Sequence, residues 1–238
     1  MAETAMDDRN NGQRSRAISQ FRKLAEAGDV DAAIGLGRIA LSGAPEAHGP
    51  AEALRWFNFA ATQNDPRGYY DLGVMYRHGK GVDNDDARAA MHFQHAADLN
   101  YPPGLHNLGI LYMTGTGVPQ DVVRGVNSIV AAADAGYDPA LYHMADLLFY
   151  GTGVQASEAL ALEYMEKAAE AKHPDALFFM SVLAIVEEDR PAYLHWAPYG
   201  LLAGSTQMNA LMRRFMDVEV PAYEDPVTLM YIRYFAAT

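Results

Sequence analysis

Glycine returns at Gly43, Gly79, Gly115 and Gly151, one every 36 residues. The alanine pairs Ala60-Ala61, Ala96-Ala97, Ala132-Ala133 and Ala168-Ala169 keep the same step. So does the column Leu36, Leu72, Leu108, Met144 and Met180, and Gly81-Val82, Gly117-Val118 and Gly153-Val154 add a third register. A period of this size, agreed by independent columns, restricts the chain to stacked supersecondary units. One such unit cannot bury its apolar face alone and shares a core with its neighbours.

Inside one unit, Tyr69, Leu72, Gly73 and Tyr76 fall at i, i+3, i+4 and i+7, one face of an α-helix, here helix A. Gly79 supplies the left-handed residue that ends it, and Gly81 lets the chain double back. Ala89, Phe93, Ala96 and Ala97 then return at helical spacing as helix B. Gly73 and Ala89 are the small residues expected to let A and B approach closely. Asp65-Pro66 and Asp138-Pro139 read as an N-cap with proline in the first turn. Each unit is an antiparallel helix hairpin.

The pattern A-x-x-x-L-G-x-x-Y-x-x-G-x-G-V followed by A-x-x-x-x-x-x-A-A is best written by residues 68–97 and 104–133. It resembles the Sel-one-like repeat family, a relative of the tetratricopeptide repeats, over roughly residues 17–216. The resemblance implies an all-α, right-handed α-solenoid of about five to six stacked helix-turn-helix repeats with terminal capping helices. The expected layout is a flexible polar tail over 1–14 and a single solenoid over 15–238, with 221–238 as a C-terminal capping helix. The ends depart from the pattern, as terminal units do: RAISQFRKLAEAG matches a helix B without its partner, GAPEAHG replaces the first glycine turn, and the fifth unit has lost that turn.

Composition removes several kinds of chemistry. The 238 residues include no cysteine, which rules out disulfides and thiolate nucleophiles and suits a reducing compartment. A formal charge of -12 has the wrong sign for a nucleic-acid partner. No apolar run suits a bilayer, and the opening residues lack the apolar core of a secretory signal, so a cytoplasmic protein is expected.

Among eight histidines, His92 and His95 share a helix face, but H-E-x-x-H is absent. The repeat places His92 in the column of Trp56 and Tyr164, a packing position, and His95 in that of Phe59 and Lys167. HGKGV lacks the preceding strand and the G-K-[ST] of a phosphate loop, VDNDDA lacks the calcium-loop spacing, and no G-x-S-x-G elbow occurs. No catalytic residue, metal or cofactor is expected.

What remains is a surface. The resemblance implies that A helices line a concave groove, into which the side chain two residues before the repeat leucine points. That selects Ile34, Tyr70, His106, Tyr142 and Phe178. Two residues after the leucine stand Arg38, Val74, Ile110 and Asp146, and further along lie Arg77, Met113 and Phe149, with Arg67 nearby. The expected function is a non-enzymatic adaptor or scaffold holding another protein or peptide, a basic one given the charge. The alternative is an immunity protein that blocks a toxin or effector. A third reading, a metal-dependent hydrolase, rests on the histidines alone. A monomer is expected, with a homo-oligomer through Leu229, Tyr231 and Phe235 as the alternative.

Overall fold

A computed structural model describes residues 15–43, 49–186, 192 and 195–196. The expected N-terminal tail over 1–14, the capping helix over 221–238 with its oligomer contact, and the fifth-unit residue Leu194 lie outside the described residues. Two compact units divide the chain, Met1–Ala135 and Gly136–Thr238.

The first unit holds α1 (15–26), α2 (Val30–Leu41), α3 (Gly49–Thr62), α4 (Pro66–His78), α5 (Asp86–Asp98), α6 (Pro102–Thr114) and α7 (Val122–Asp134). The second holds α8 (Asp138–Tyr150), α9 (Glu158–Glu170) and α10 (Pro174–Val186). No strand occurs among the described residues. The even-numbered helices are the A helices of the repeat and the odd-numbered ones the B helices. Within each unit, α2 with α3, α4 with α5, α6 with α7 and α8 with α9 form the hairpins.

Side chains encoded at fixed repeat positions set the helix ends. The Asp65 carboxylate accepts the Arg67 amide at 2.9 Å, and Pro66 occupies the first turn of α4. Gly79 ends that helix at φ +63°, in the left-handed region where a side chain is strained. Asp85 and Asp121 each accept a backbone amide, from Arg88 and Arg124, at 2.9 Å. The acidic VDNDDA run is thus the cap of α5. The turns between A and B are closed by side-chain amides: Asn84 Nδ2 donates to the Arg77 carbonyl at 2.6 Å, and Gln120 Nε2 to the Met113 carbonyl at 2.8 Å.

Hairpin cores explain the small residues. A Cβ at Gly73 would lie 2.6 Å from Phe93 Cε1, so the missing side chain makes room for that ring. The sequence pairs Gly73 with Ala89; in the structure the ring of Phe93 occupies the space, and Ala89 is buried beside it. In α1 and α2, Ile18, Ala25, Ala33 and Leu36 enclose the indole of Trp56 from α3, so the unpartnered B helix read from RAISQFRKLAEAG closes the first core. Burying an aromatic or branched aliphatic side chain in this way contributes about 1.5–3 kcal/mol each.

Candidate functional site

Of the laddered side chains in the first unit, Ile34 is a correction. It is 3% exposed and packs with Phe57 and Leu72, because an aliphatic group with no polar atom to hold at the surface is covered by α3 and α4. Tyr70 is half-buried: its ring packs against Phe93 at 5.8 Å and meets Tyr101 edge-on at 5.6 Å. Burial, and then the nearby Asp71 carboxylate, raises the Tyr70 phenol above its ordinary value, while a hydrogen bond with Asn107 opposes them. Val74, His106 and Ile110 are also half-buried. Met113 is half-buried as well, with its Cγ beside Gly125 of α7.

The three candidate arginines of this unit, Arg38, Arg67 and Arg77, are held by partners within the chain. Arg67 Nη2 lies 2.6 Å from Asp65 and 2.6 Å from Asp31 of the preceding A helix. Arg38 Nε donates to Asp71 Oδ2 at 2.9 Å, again joining α2 to α4. Arg77 Nη1 donates to Asp86 at 2.7 Å, across its own hairpin. Asp71 is buried, 8% exposed, and desolvation raises its carboxyl while Arg38 pulls it back. The hydrogen bonds from Arg67 hold Asp65 below the usual carboxylate range. Sequence reading found the arginines but missed Asp71. Asp71 lies off the face formed by Tyr69, Leu72, Gly73 and Tyr76, and its repeat counterparts Gly35, Asn107 and His143 carry no carboxylate, so the columns held no signal for it.

In the second unit, Tyr142 and His173 stack, and burial raises the phenol and lowers the imidazole. His173 Nδ1 also accepts the Ala176 amide at 3.4 Å, which fixes the ring at the start of α10. Tyr142 and Tyr70 occupy the same repeat column, and each meets the residue that precedes the next A helix. Asp146 Oδ1 is buried without a hydrogen-bond partner among the described residues. Burial, reinforced by Asp175, pushes that carboxyl up to about 6. Phe149 packs against the buried Phe179 at 5.8 Å, and Phe178 is half-buried.

The histidines sit as their columns predict. His92 stacks on Tyr76 at 5.4 Å with planes 10° apart, its Nδ1 buried, and burial lowers its pKa. His95 is exposed and lies 5.1 Å from Tyr69. Among the described residues, no group of three or more histidine, aspartate or glutamate side chains is arranged to hold a metal ion. In HGKGV the Lys80 amide donates to the Met75 carbonyl, a helix-ending turn.

Each unit by itself presents half-buried aromatic or aliphatic side chains on its A helices, and in the first unit ion pairs join α2 to α4. Such a surface can hold another polypeptide by contact. No described helix is long and apolar enough to cross a membrane. None of the curated proteins compared with the chain matches it in sequence. A Sel1 repeat protein from Oxalobacter formigenes is similar in structure, with 26% identity, TM-score 0.70 and 79% of each chain covered. An immunity protein from Pseudomonas aeruginosa superposes with TM-score 0.58 at 24% identity, over 82% of this chain and 75% of that one. A second immunity protein of that organism gives TM-score 0.62 at 22% identity, over 88% and 81%. Those two likenesses concern the fold. The family model of the Sel1 repeat matches residues 30–65, 66–101, 102–127 and 138–173, more than half of the chain. The chain belongs to the Sel1 repeat family, and its fold class is the all-α repeat solenoid.

Proposed function

We propose that the chain is a non-enzymatic adaptor or scaffold that holds a partner protein or peptide against its A helices. Sel1 repeat proteins mediate protein–protein interaction, and that supports the class of function. The observation that carries the reading is the half-buried apolar pair Val74 and Ile110, at the same position of successive A helices, the position that Arg38 holds on α2 where it is paired with Asp71. Apolar groups left at the surface are suited to a partner that brings its own apolar anchors. The net charge of -12 favours a basic partner, whose association would slow and weaken as salt rises. Absence of cysteine suits work in the cytoplasm.

The same charge supports a second reading, in which the acidic chain covers the basic surface of a toxin as an immunity protein. Two structural neighbours carry that title.

The test is retention of host proteins on the immobilised chain, identified by mass spectrometry, with the double variant Val74→Glu, Ile110→Glu beside it. Loss of a retained protein from the variant at unchanged melting temperature supports the A-helix surface. Identical retention by both overturns it. A retained protein with hydrolytic or membrane-damaging activity that the chain inhibits would select the immunity reading over the adaptor.

A further inference from the structure

The repeat carries an aromatic ring at one B-helix position in three of its copies, Trp56, His92 and Tyr164, and a polar residue in the others, Gln20 of α1 and Ser128 of α7. In the first copy the ring is a core element: Trp56 is 3% exposed, encased by Ala25, Ala33 and Leu36, with its indole N–H donating to Glu52 at 2.9 Å. In the second copy His92 stacks flat on Tyr76. In the third, α5, α6 and α7 enclose an open cleft of about 250 Å³ whose wall includes Ser128. Three more of its lining residues are the repeat equivalents of the Trp56 seat, since Ala97 stands for Ala25, Leu105 for Ala33 and Leu108 for Leu36. The family match to this copy stops at residue 127, one short of the substitution.

The geometry points to a receptor cleft: we propose that this site takes an aromatic side chain of a partner protein, seated where three of the copies seat their own ring. Three observations support that occupant. Tyr112, counterpart of the Tyr76 on which His92 lies, lines the cleft. The Arg124 guanidinium carbon already sits 4.2 Å from the Tyr112 ring centroid, so a cation is in place for an incoming π-face. At the rim, Gln94 Nε2 donates to Asp98 at 2.7 Å, leaving a carboxylate that can accept an indole or phenol proton, as Glu52 does for Trp56. An apolar cavity of about 150 Å³ is enough to hold benzene. Drug-sized ligands take about 300 Å³ or more and are largely enclosed, whereas this cleft is smaller and open, which suits one anchor residue of a protein. Leu105, Leu108 and Tyr112 lie on the A helix α6, but none of the lining residues is among the candidate surface residues tested above, so the two proposals fail independently.

The probe is N-acetyl-L-tryptophanamide, titrated into the isotope-labelled full chain and followed by amide NMR, with N-acetyl-L-leucinamide as the comparison. The expected result is saturable shifts at Gln94, Leu105 and Arg124, with an affinity near 1 mM, roughly the range of a single anchor. The leucine probe should give no saturation. Ser128→Trp, which supplies the ring internally, should abolish the response and melt at a higher temperature. Equal response to both probes, absence of saturation, or an undiminished response in Ser128→Trp overturns the proposal. Binding tighter than about 1 µM would reveal a small-molecule pocket and overturn it too. If Ser128→Trp fails to fold, Tyr112→Leu decides, because that column already accepts Ala40 and Leu148. It should weaken the probe about tenfold, and unchanged affinity overturns the proposal.

Discussion

Tyr142 and His173 lie face to face, their ring centroids 4.5 Å apart and their planes 7° from parallel, and so join the middle of the second unit's first helix to the start of its third. Removing the phenol ring therefore acts on stability as well as on any bound partner. Tyr142→Ala should cost about 2 kcal/mol in urea unfolding, less than a fully buried aromatic because the ring is half-exposed. Tyr142→Phe keeps the stack and should stay within about 0.5 kcal/mol. A neutral Tyr142→Ala would mean that the ring is free surface.

The buried imidazoles make stability fall on the acid side. His92, His143 and His173 all have folded pKa values lowered by burial, which favours the neutral ring. Their contribution is present above the unfolded value of about 6.5 and is lost as pH falls below it toward the folded values. His173→Asn preserves a helix-cap acceptor but removes a titrating group. Its loss of stability between pH 7 and pH 5 should be shallower than that of the parent, measured by thermal unfolding across that range.

Asp146 has the opposite sign. Its folded pKa, raised from 3.8 to about 6, means that ionisation costs more in the folded chain. The penalty is absent below the unfolded value, grows as pH rises through the folded one and is complete above it. Asp146→Asn should therefore stabilise the protein at pH 8 by about 1 kcal/mol and change little at pH 4. The figure is below the full linkage value because solvent reaches the group. Equal effects at both pH values would contradict the assignment.

Gly73→Ala tests the hairpin core. Alanine improves helix propensity by about 1 kcal/mol, but its Cβ would stand 2.6 Å from a Phe93 ring that is 1% exposed. Overpacking should dominate, with a net loss of about 1–2 kcal/mol. The double variant Gly73→Ala, Phe93→Leu should lose less than the sum of the two single changes, and simple additivity would show that the two positions do not meet.

Arg38→Ala leaves Asp71 buried without its cation. The expected cost is about 1–2 kcal/mol at pH 7, below that of a fully buried pair because the Arg38 side chain is 49% exposed. The cost should shrink near pH 4, where Asp71 takes up a proton, and a pH-independent loss would assign it to packing of the arginine stem.

The period, the two helices of each hairpin, the glycine that ends helix A, the packing role of His92 and the solvated place of His95 were readable because each recurs at a fixed position of the 36-residue repeat. The candidate surface was less so. Ile34 is covered by Phe57 and Leu72, which are remote in sequence, so its column alone could not show that it is core. Asp71 beneath Arg38 and Tyr101 beside Tyr70 likewise join successive repeats. The 36-residue columns do place Tyr70 with Tyr142, and the residues before the A helices, Tyr101, Tyr137 and His173, form an aromatic column of their own.

Asn84 and Gln120 do one task with side chains of different length, each amide closing a carbonyl at the end of its own A helix. The closure travels with the block that encodes it. A 36-residue segment could consequently be duplicated or exchanged within this lineage without redesigning the bend, leaving the exposed positions free to diversify.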